Sequence, residues 1–146
     1  MLKFLVINGP NLNLLGTREP EIYGHKTLSD IEIYTQKRLG DLVHLDWFQS
    51  NIEGEIVTRI QHLTSENYHG LIINPAGYAH TSVVILDALK LIKLPIAEVH
   101  LSNVYKREPF RHSMLTAGAS TIIMGGLSHR VYYSAAMALT DLIQGL

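Results

Sequence analysis

LKFLVINGPNLNLLGTREPEIYGHKTLSD, residues 2–30, contains the first predicted strand, the start of the first long helix and the loop that joins them. Residues 2–7 are almost entirely apolar, as in a strand buried within a parallel sheet. Thr27 and Asp30 have the spacing of a capping box with a shorter acid, so we expect a helix to begin near Thr27. The connection, residues 8–24, has about seventeen residues, whereas strand-to-helix loops usually have about two to six. Its length predicts an active-site loop with a mobile middle.

Strands and helices alternate along the rest of the chain. This order predicts a parallel sheet covered by helices on both faces. Five strands favour a flavodoxin-like, doubly wound three-layer α/β/α fold, because a (β/α)₈ barrel needs about 250 residues. The predicted strands are 3–8, 42–49, 70–74, 96–102 and 121–124, and the predicted helices are about 27–39, 54–66, 81–92 and 128–143.

Length and composition predict one soluble domain, residues 1–146. Apolar residues make up 47% of the chain and the net charge is −1. This balance argues against disorder and against electrostatic binding to nucleic acid or membrane. The absence of cysteine excludes disulfides, thiolate catalysis and cysteine zinc sites. It also fits a cytoplasmic location, as does the absence of a leader pattern or a long apolar run.

Polar side chains follow three of the predicted strands. Asn8 and Asn11 come after the first strand, residues 74–80 follow the third, and residues 98–102 end the fourth. In open parallel sheets, ligands bind beyond the carboxyl ends of the strands. The sequence therefore predicts a site at this edge, formed by amides, imidazoles, a carboxylate and a hydroxyl.

Glu98, His100 and Ser102 are two residues apart in a predicted strand, so their side chains should lie on one face. A carboxylate beside an imidazole orients the ring and favours its charged form, which suits a general acid near neutral pH. The alternative is a structural polar pair, satisfied beneath a helix.

Arg18 and Tyr23 suggest a second pair of functional groups, a base and a cation, within the long loop. A phenol has a pKa near 10, and a cation held beside it favours the phenolate, which is a strong base. The alternative is a solvated arginine and a tyrosine packed on the surface. For Asn11 and Asn13 the alternative to a functional role is turn chemistry, since asparagine tolerates left-handed backbone.

Two further groups have open interpretations. His80 precedes a predicted helix N-terminus, where it can contact an anion or simply cap the helix. The loop 106–111 is basic and contains an aromatic residue, but its few cations favour a solvated loop over a nucleic-acid site. Arg111 in this loop could instead close over a polar ligand. The other histidines lack metal-ligand spacing, and no phosphate-binding or serine-nucleophile motif occurs, so we expect neither a metal nor a cofactor.

The chain resembles type II 3-dehydroquinate dehydratases along essentially its whole length. The resemblance implies a flavodoxin-like fold and a metal-free, cofactor-free trans dehydration of 3-dehydroquinate to 3-dehydroshikimate through an enolate, in the shikimate pathway of aromatic amino acid biosynthesis or in quinate catabolism. It also implies a dodecamer built from four trimers. The matching segments are NGPNLNLLGTREPEIYG (8–24), FQSN-x-EGE (48–55), INP-x-GY-x-HTS (73–82), E-VHLSNVYKREPFRH (98–112) and the closing glycine turn.

The resemblance also implies roles for individual residues. Tyr23 would remove the C2 proton, Arg18 would hold it as phenolate, and Asn11 would orient a water that stabilises the enolate. His100, oriented by Glu98, would protonate the departing C1 hydroxyl. The remaining implied contacts are those to the substrate carboxylate (Asn74, Leu101 and Ser102), to the ring hydroxyls (His80 and Arg111), to the bound substrate in the turn after the third strand (Gly77) and across a subunit contact (Asp87).

Departures from the family pattern lie away from these positions. Residue 52 is Ile where the family usually has His, and residues 128–131 replace a glycine-containing segment. Two rival hypotheses are compatible with the sequence. One is a binding module that takes a small carboxylate or nucleotide without turnover, and the other is a structural oligomer whose polar edge is an interface.

Overall fold

The computed structural model describes residues 1–17 and 19–146, and the backbone alone of Tyr23. A five-stranded parallel sheet forms the centre of the molecule. Its strands are β1 (Leu2–Asn8), β2 (Val43–Gln49), β3 (Gly70–Asn74), β4 (Ile96–Val99) and β5 (Ile122–Met124). They lie in the order β2-β1-β3-β4-β5. This order is that of flavodoxin-like sheets, so the predicted fold class is confirmed.

Helices cover both faces of the sheet. They are α1 (Pro20–Tyr23), α2 (Leu28–Leu39), α3 (Glu53–His62), α4 (Val83–Leu89) and α5 (Val131–Gln144). Successive side chains of a strand point to opposite faces, so Phe4 and Val6 pack with α2 and α5, whereas Leu5 and Ile7 pack with α3 and α4. Within the described part of the chain, no helix is both long and apolar enough to cross a membrane.

Local signals fix the ends of α2. The Thr27 hydroxyl accepts a hydrogen bond from the Asp30 amide, and the Asp30 carboxylate accepts one from the Thr27 amide, both at 3.1 Å. This is the predicted capping box, and it satisfies two amides that the first turn would otherwise leave without partners. Gly40, with φ at 57°, ends the helix in a conformation that other residues rarely adopt.

The prediction that β4 extends to Ser102 is wrong, because the strand ends at Val99. The neighbouring strands, β3 and β5, end at the same level of the sheet. β3 stops before Pro75, which cannot donate a ladder hydrogen bond, and β5 stops at Met124. The His100 amide still donates to the Met124 carbonyl at 2.9 Å, and beyond it the chain turns away from the sheet.

Other boundaries also differ from the prediction, and α4 spans Val83–Leu89 rather than residues 81–92. The predicted loop 8–24 contains α1, a short helix with Pro20 in its first turn. α3 ends at His62 and continues as a 3₁₀ turn, Leu63–Ser65. α5 begins at Val131, after a separate 3₁₀ turn, Ser128–Arg130.

Candidate active site

A cavity of about 100 Å³ lies at the edge of the sheet where β1, β3 and β4 end. The strand ends therefore converge as the parallel topology predicts. Six residues proposed from the sequence line it: Asn11, Asn74, Gly77, His100, Leu101 and Ser102. The sequence analysis did not propose the other five lining residues: Pro10, Leu12, Ala76, Val104 and Arg107.

Glu98 and His100 form a buried, hydrogen-bonded pair at the wall of this cavity. His100 Nε2 lies 2.8 Å from Glu98 Oε2, and the other carboxylate oxygen accepts from the Thr116 hydroxyl at 2.5 Å. Glu98 is fully buried, so both donors offset the cost of taking its charge out of water. The carboxylate fixes the histidine proton on Nε2 and leaves Nδ1 as the ring nitrogen available to the cavity.

The structure bears on both interpretations of this pair. Glu98 is a satisfied buried group, as the structural alternative requires. His100 nevertheless lines the cavity, which a purely structural pair does not need. An oriented imidazole at a polar cavity can transfer a proton to or from a bound ligand.

His80 lies beside His100, and their stacked rings have centroids 6.3 Å apart. Its Nδ1 donates to the Ser113 carbonyl at 2.9 Å, which leaves Nε2 as an acceptor. Burial lowers the pKa of His80, the hydrogen bond to Ser113 opposes this shift, and the charges of His100 and Arg111 reinforce it. The site therefore favours a neutral His80 beside His100.

Asn11 and Asn74 are held in place by hydrogen bonds to neighbouring loops. Asn11 has a left-handed backbone, with φ at 69°, and its amide donates to the Asn51 side chain at 3.0 Å. Asn74 is buried, and its side-chain oxygen accepts from the Ala76 amide at 3.1 Å. The structure thus anchors both asparagines at the strand ends they follow.

Other proposed residues lie outside the cavity lining. Arg111 Nε lies 3.2 Å from a carboxylate oxygen of Glu108. The positive charge of Arg111 contributes to lowering the pKa of His80. Asp87 lies on the exposed side of α4. The predictions for Arg18 and for the Tyr23 side chain lie outside the described residues.

A second cavity, of about 330 Å³, adjoins the first and shares Leu101, Ser102 and Arg107 with it. Ile22 of α1 lines this second cavity. The short helix that ends at Tyr23 thus borders a cavity next to the one that His100 lines.

Sequence reasoning missed Arg107 and Thr116 for different reasons. Arg107 lines both cavities, and the basic composition of 106–111 was the signal that could have found it. Thr116 is distant in sequence from Glu98 and stands in a segment without a motif, so only the fold reveals their contact. No group of three or more His, Cys, Asp or Glu residues among positions 1–17 and 19–146 is arranged to hold a metal ion.

The fold and cavity define a small doubly wound α/β protein with an imidazole–carboxylate pair at its strand ends. A sequence model described as dehydroquinase class II matches residues 2–140. A 3-dehydroquinate dehydratase of Clostridium perfringens is 47% identical over 144 residues, which cover 98% of this chain and 100% of that protein. The chain belongs to the class II dehydroquinase family.

Two further comparisons agree with this assignment. The protein named 3-dehydroquinate dehydratase 1 of Ralstonia nicotianae is 53% identical over 132 residues, which cover 90% of this chain and 85% of that protein. The crystal structure of a type II dehydroquinase from Butyrivibrio crossotus superposes with a TM-score of 0.92 at 37% identity. That match covers 94% of this chain and 97% of the other.

Proposed function

We propose that the protein is a 3-dehydroquinate dehydratase that eliminates water in the trans sense, through an enolate and without a cofactor. The observation that carries this proposal is the buried Glu98–His100 pair at a cavity lined by Asn11 and Asn74, in a chain of this family. The reaction supplies 3-dehydroshikimate to the shikimate pathway or to quinate catabolism.

Proton abstraction is assigned to Tyr23. A proton next to a ketone is weakly acidic, so the step needs a strong base and a stabilised enolate. Arg18 holds the phenol as phenolate, and Asn11 orients a water toward the enolate oxygen. Support for the base comes from α1, because Ile22, the residue before Tyr23, borders the cavity region.

Protonation of the leaving group is assigned to His100. The C2 proton moves to Tyr23, the C1–O bond breaks, and the hydroxyl leaves as water with a proton from His100. Glu98 orients the imidazole by accepting a hydrogen bond from Nε2, and it places a carboxylate beside the ring that transfers the proton. A neutral His80 beside it avoids a second positive charge and keeps an acceptor for a substrate hydroxyl.

Substrate binding is assigned to the remaining residues. Asn74, with the backbone of Leu101 and Ser102, binds the carboxylate, and Gly77 allows close approach because no side chain projects there. His80 and Arg111 bind the ring hydroxyls. We further propose one catalytic domain, residues 1–146, acting in the cytoplasm as a dodecamer of four trimers in which Asp87 reaches a neighbouring site.

The decisive test is incubation with 3-dehydroquinate while the absorbance of the conjugated enone is followed, with and without a chelator. Turnover in both conditions supports the proposal, and a folded protein without turnover refutes it. Tyr23→Phe and Arg18→Ala should each lose most turnover while the substrate still binds. His100→Ala should leave C2 proton exchange faster than dehydration, and equal losses would contradict its role as the acid.

A further inference from the structure

Tyr132, near the start of α5, joins the ends of two strands through its hydroxyl. The side chain is fully buried. Its hydroxyl donates to Asn8 Oδ1 at 2.5 Å and accepts from Asn74 Nδ2 at 3.2 Å. Asn8 and Asn74 are register partners at the last positions of β1 and β3. One phenol thus contacts both amides at the edge of the sheet where the cavity opens.

The directions of these hydrogen bonds determine which way the Asn74 amide faces. A phenol has one proton, and here it goes to Asn8. The Tyr132 oxygen can then only accept from Asn74, so the NH₂ group, rather than the carbonyl oxygen, of that amide faces the phenol. The carbonyl oxygen of Asn74 accepts from the Ala76 amide, which fixes the same orientation from the other side.

This orientation leaves a donor for the cavity. The Asn74 amide nitrogen carries two hydrogens, and Tyr132 takes one of them. Asn74 lines the cavity, so the second hydrogen is available to an acceptor atom of a bound ligand. A reversed amide would present an oxygen in its place and repel the same acceptor.

Asn8 supports a role beyond packing. Its side-chain nitrogen is buried and has no hydrogen-bond partner among the described residues. Such an orphan donor costs free energy, and an apolar residue of similar size would avoid that cost. The side-chain oxygen of Asn8, in contrast, accepts the hydrogen bond that the Tyr132 hydroxyl donates.

We propose that Tyr132 is a positioning residue, which holds the Asn74 amide with an N–H toward the cavity so that it binds an acceptor oxygen of the substrate. The proposal rests on the proposed function, because Asn74 must contact the substrate. Burial also raises the pKa of Tyr132 well above the ordinary value for a phenol, so the proton stays on the hydroxyl throughout the neutral range.

The test is a double-mutant cycle with Tyr132→Phe and Asn74→Ala, assayed with 3-dehydroquinate. Tyr132→Phe should raise KM about tenfold and change kcat less, because the lost contact acts on substrate binding. In the Asn74→Ala background the same change should alter KM less than about twofold. An unchanged KM in the single variant, or a full rise in the double variant, would overturn the proposal.

Tyr68→Phe is the matched control. It also removes one phenolic hydroxyl that donates a hydrogen bond, to Asp46 at 2.6 Å, and Tyr68 does not line the cavity. It should lower thermal stability and leave KM unchanged. A KM effect equal to that of Tyr132→Phe would show that loss of stability alone explains both, and would refute the positioning role.

Folding is monitored through Trp47, the single tryptophan, whose ring centroid lies 5.1 Å from that of Tyr132. If Tyr132→Phe does not fold, Asn8→Ala replaces it in the cycle, because it frees the Tyr132 proton to turn toward Asn74. The same KM rise, abolished by Asn74→Ala, is then expected, and its absence would refute the proposal.

NMR distinguishes failure of the inference from failure of the proposed function. The Asn74 side-chain amide hydrogen bonded to Tyr132 should exchange slowly in the wild type and quickly in Tyr132→Phe. Rapid exchange in the wild type would refute the positioning geometry whatever the enzyme assay shows. Slow exchange in a wild type without turnover would refute the function and, with it, the substrate-binding part of the inference.

Discussion

At the scale of single residues, the buried Glu98 carboxylate decides what His100 can do. Its two oxygens take one donor each, Thr116 and His100, so the charge is hydrogen-bonded on both sides without contact with water. A glutamine at position 98 would keep the shape of the glutamate side chain but remove its negative charge.

We therefore expect Glu98→Gln to lower kcat about 10–100-fold while folding is retained. The glutamine amide can still bond both neighbours if His100 moves its proton to Nδ1, but the imidazolium loses its counter-charge. Steady-state assays with 3-dehydroquinate measure the effect. Thr116→Val is the companion variant, which keeps the charge and removes one donor. It should destabilise the fold by about 1–3 kcal/mol with a smaller loss of kcat, and a wild-type kcat in Glu98→Gln would contradict the assignment.

A second prediction concerns Tyr68 and Asp46. Burial and the hydrogen bond to Asp46 raise the pKa of Tyr68 to about 12, and that hydrogen bond is the main cause that lowers the pKa of Asp46. Folding thus favours the neutral phenol and the ionised carboxyl. The phenol's contribution is complete below its unfolded pKa of 10.0 and is lost as the pH rises to about 12. The carboxyl's contribution is present above 3.8 and is lost as the pH falls through the lower folded pKa.

Tyr68→Phe should therefore lower Tm at pH 7, and the difference from the wild type should shrink at pH 11. Thermal melts of both proteins, recorded by circular dichroism at the two pH values, measure this. A Tm difference that stays constant from pH 7 to pH 11 would show that the hydroxyl does not contribute in the way the hydrogen bond implies.

At the scale of secondary-structure elements, the sequence predicted those features whose causes are local. The capping box of Thr27 and Asp30 and the apolar run of β3 each depend on adjacent residues, and both were predicted correctly. β4 ends at Val99 because the strands beside it end at that level, and no residue type or pattern in 99–102 predicts that end. The candidate site divides in the same way, since motif residues were proposed from the sequence but Thr116 and Tyr132 act through contacts that folding creates.

The junction of β1 with the long loop gives an element-scale prediction. A Cβ added at Gly9 would lie 2.4 Å from the Pro75 carbonyl oxygen, a backbone atom that cannot swing away. Gly9→Ala should therefore force β1 and the turn after β3 apart, at a cost of about 1–3 kcal/mol. Urea unfolding at a fixed protein concentration measures the loss.

Gly54→Ala is the matched control for that variant. Gly54 lies in α3, and a Cβ there would meet nothing within 4 Å. Alanine should stabilise the helix by about 0.5–1 kcal/mol, because it loses less backbone entropy on folding. Equal unfolding midpoints for the two alanine variants would show that the close approach at Gly9 does not constrain the fold.

At the scale of the whole molecule, the outer face of α4 favours a subunit contact. Val83 and Val84 are 56% and 50% exposed on this helix, and Asp87 follows them at a spacing of three to four residues, on the same face. Exposed valines beside a carboxylate that the chain's own site does not use suit burial against another copy. Twelve copies of the 16.3 kDa chain would have a mass of about 196 kDa, which light scattering can measure.

Mixing two inactive variants tests whether Asp87 acts in a neighbouring site. His100→Ala and Asp87→Ala chains, dissociated, mixed in equal amounts and reassembled, form sites at random. If Asp87 serves its neighbour, about one quarter of the sites combine an intact His100 with an intact Asp87 from the next chain, so activity should return to about one quarter of the wild-type level. If Asp87 serves its own chain, every site lacks one residue and the mixture stays as inactive as its components. Each variant reassembled alone is the control, and a mixture no more active than these controls would exclude a shared site.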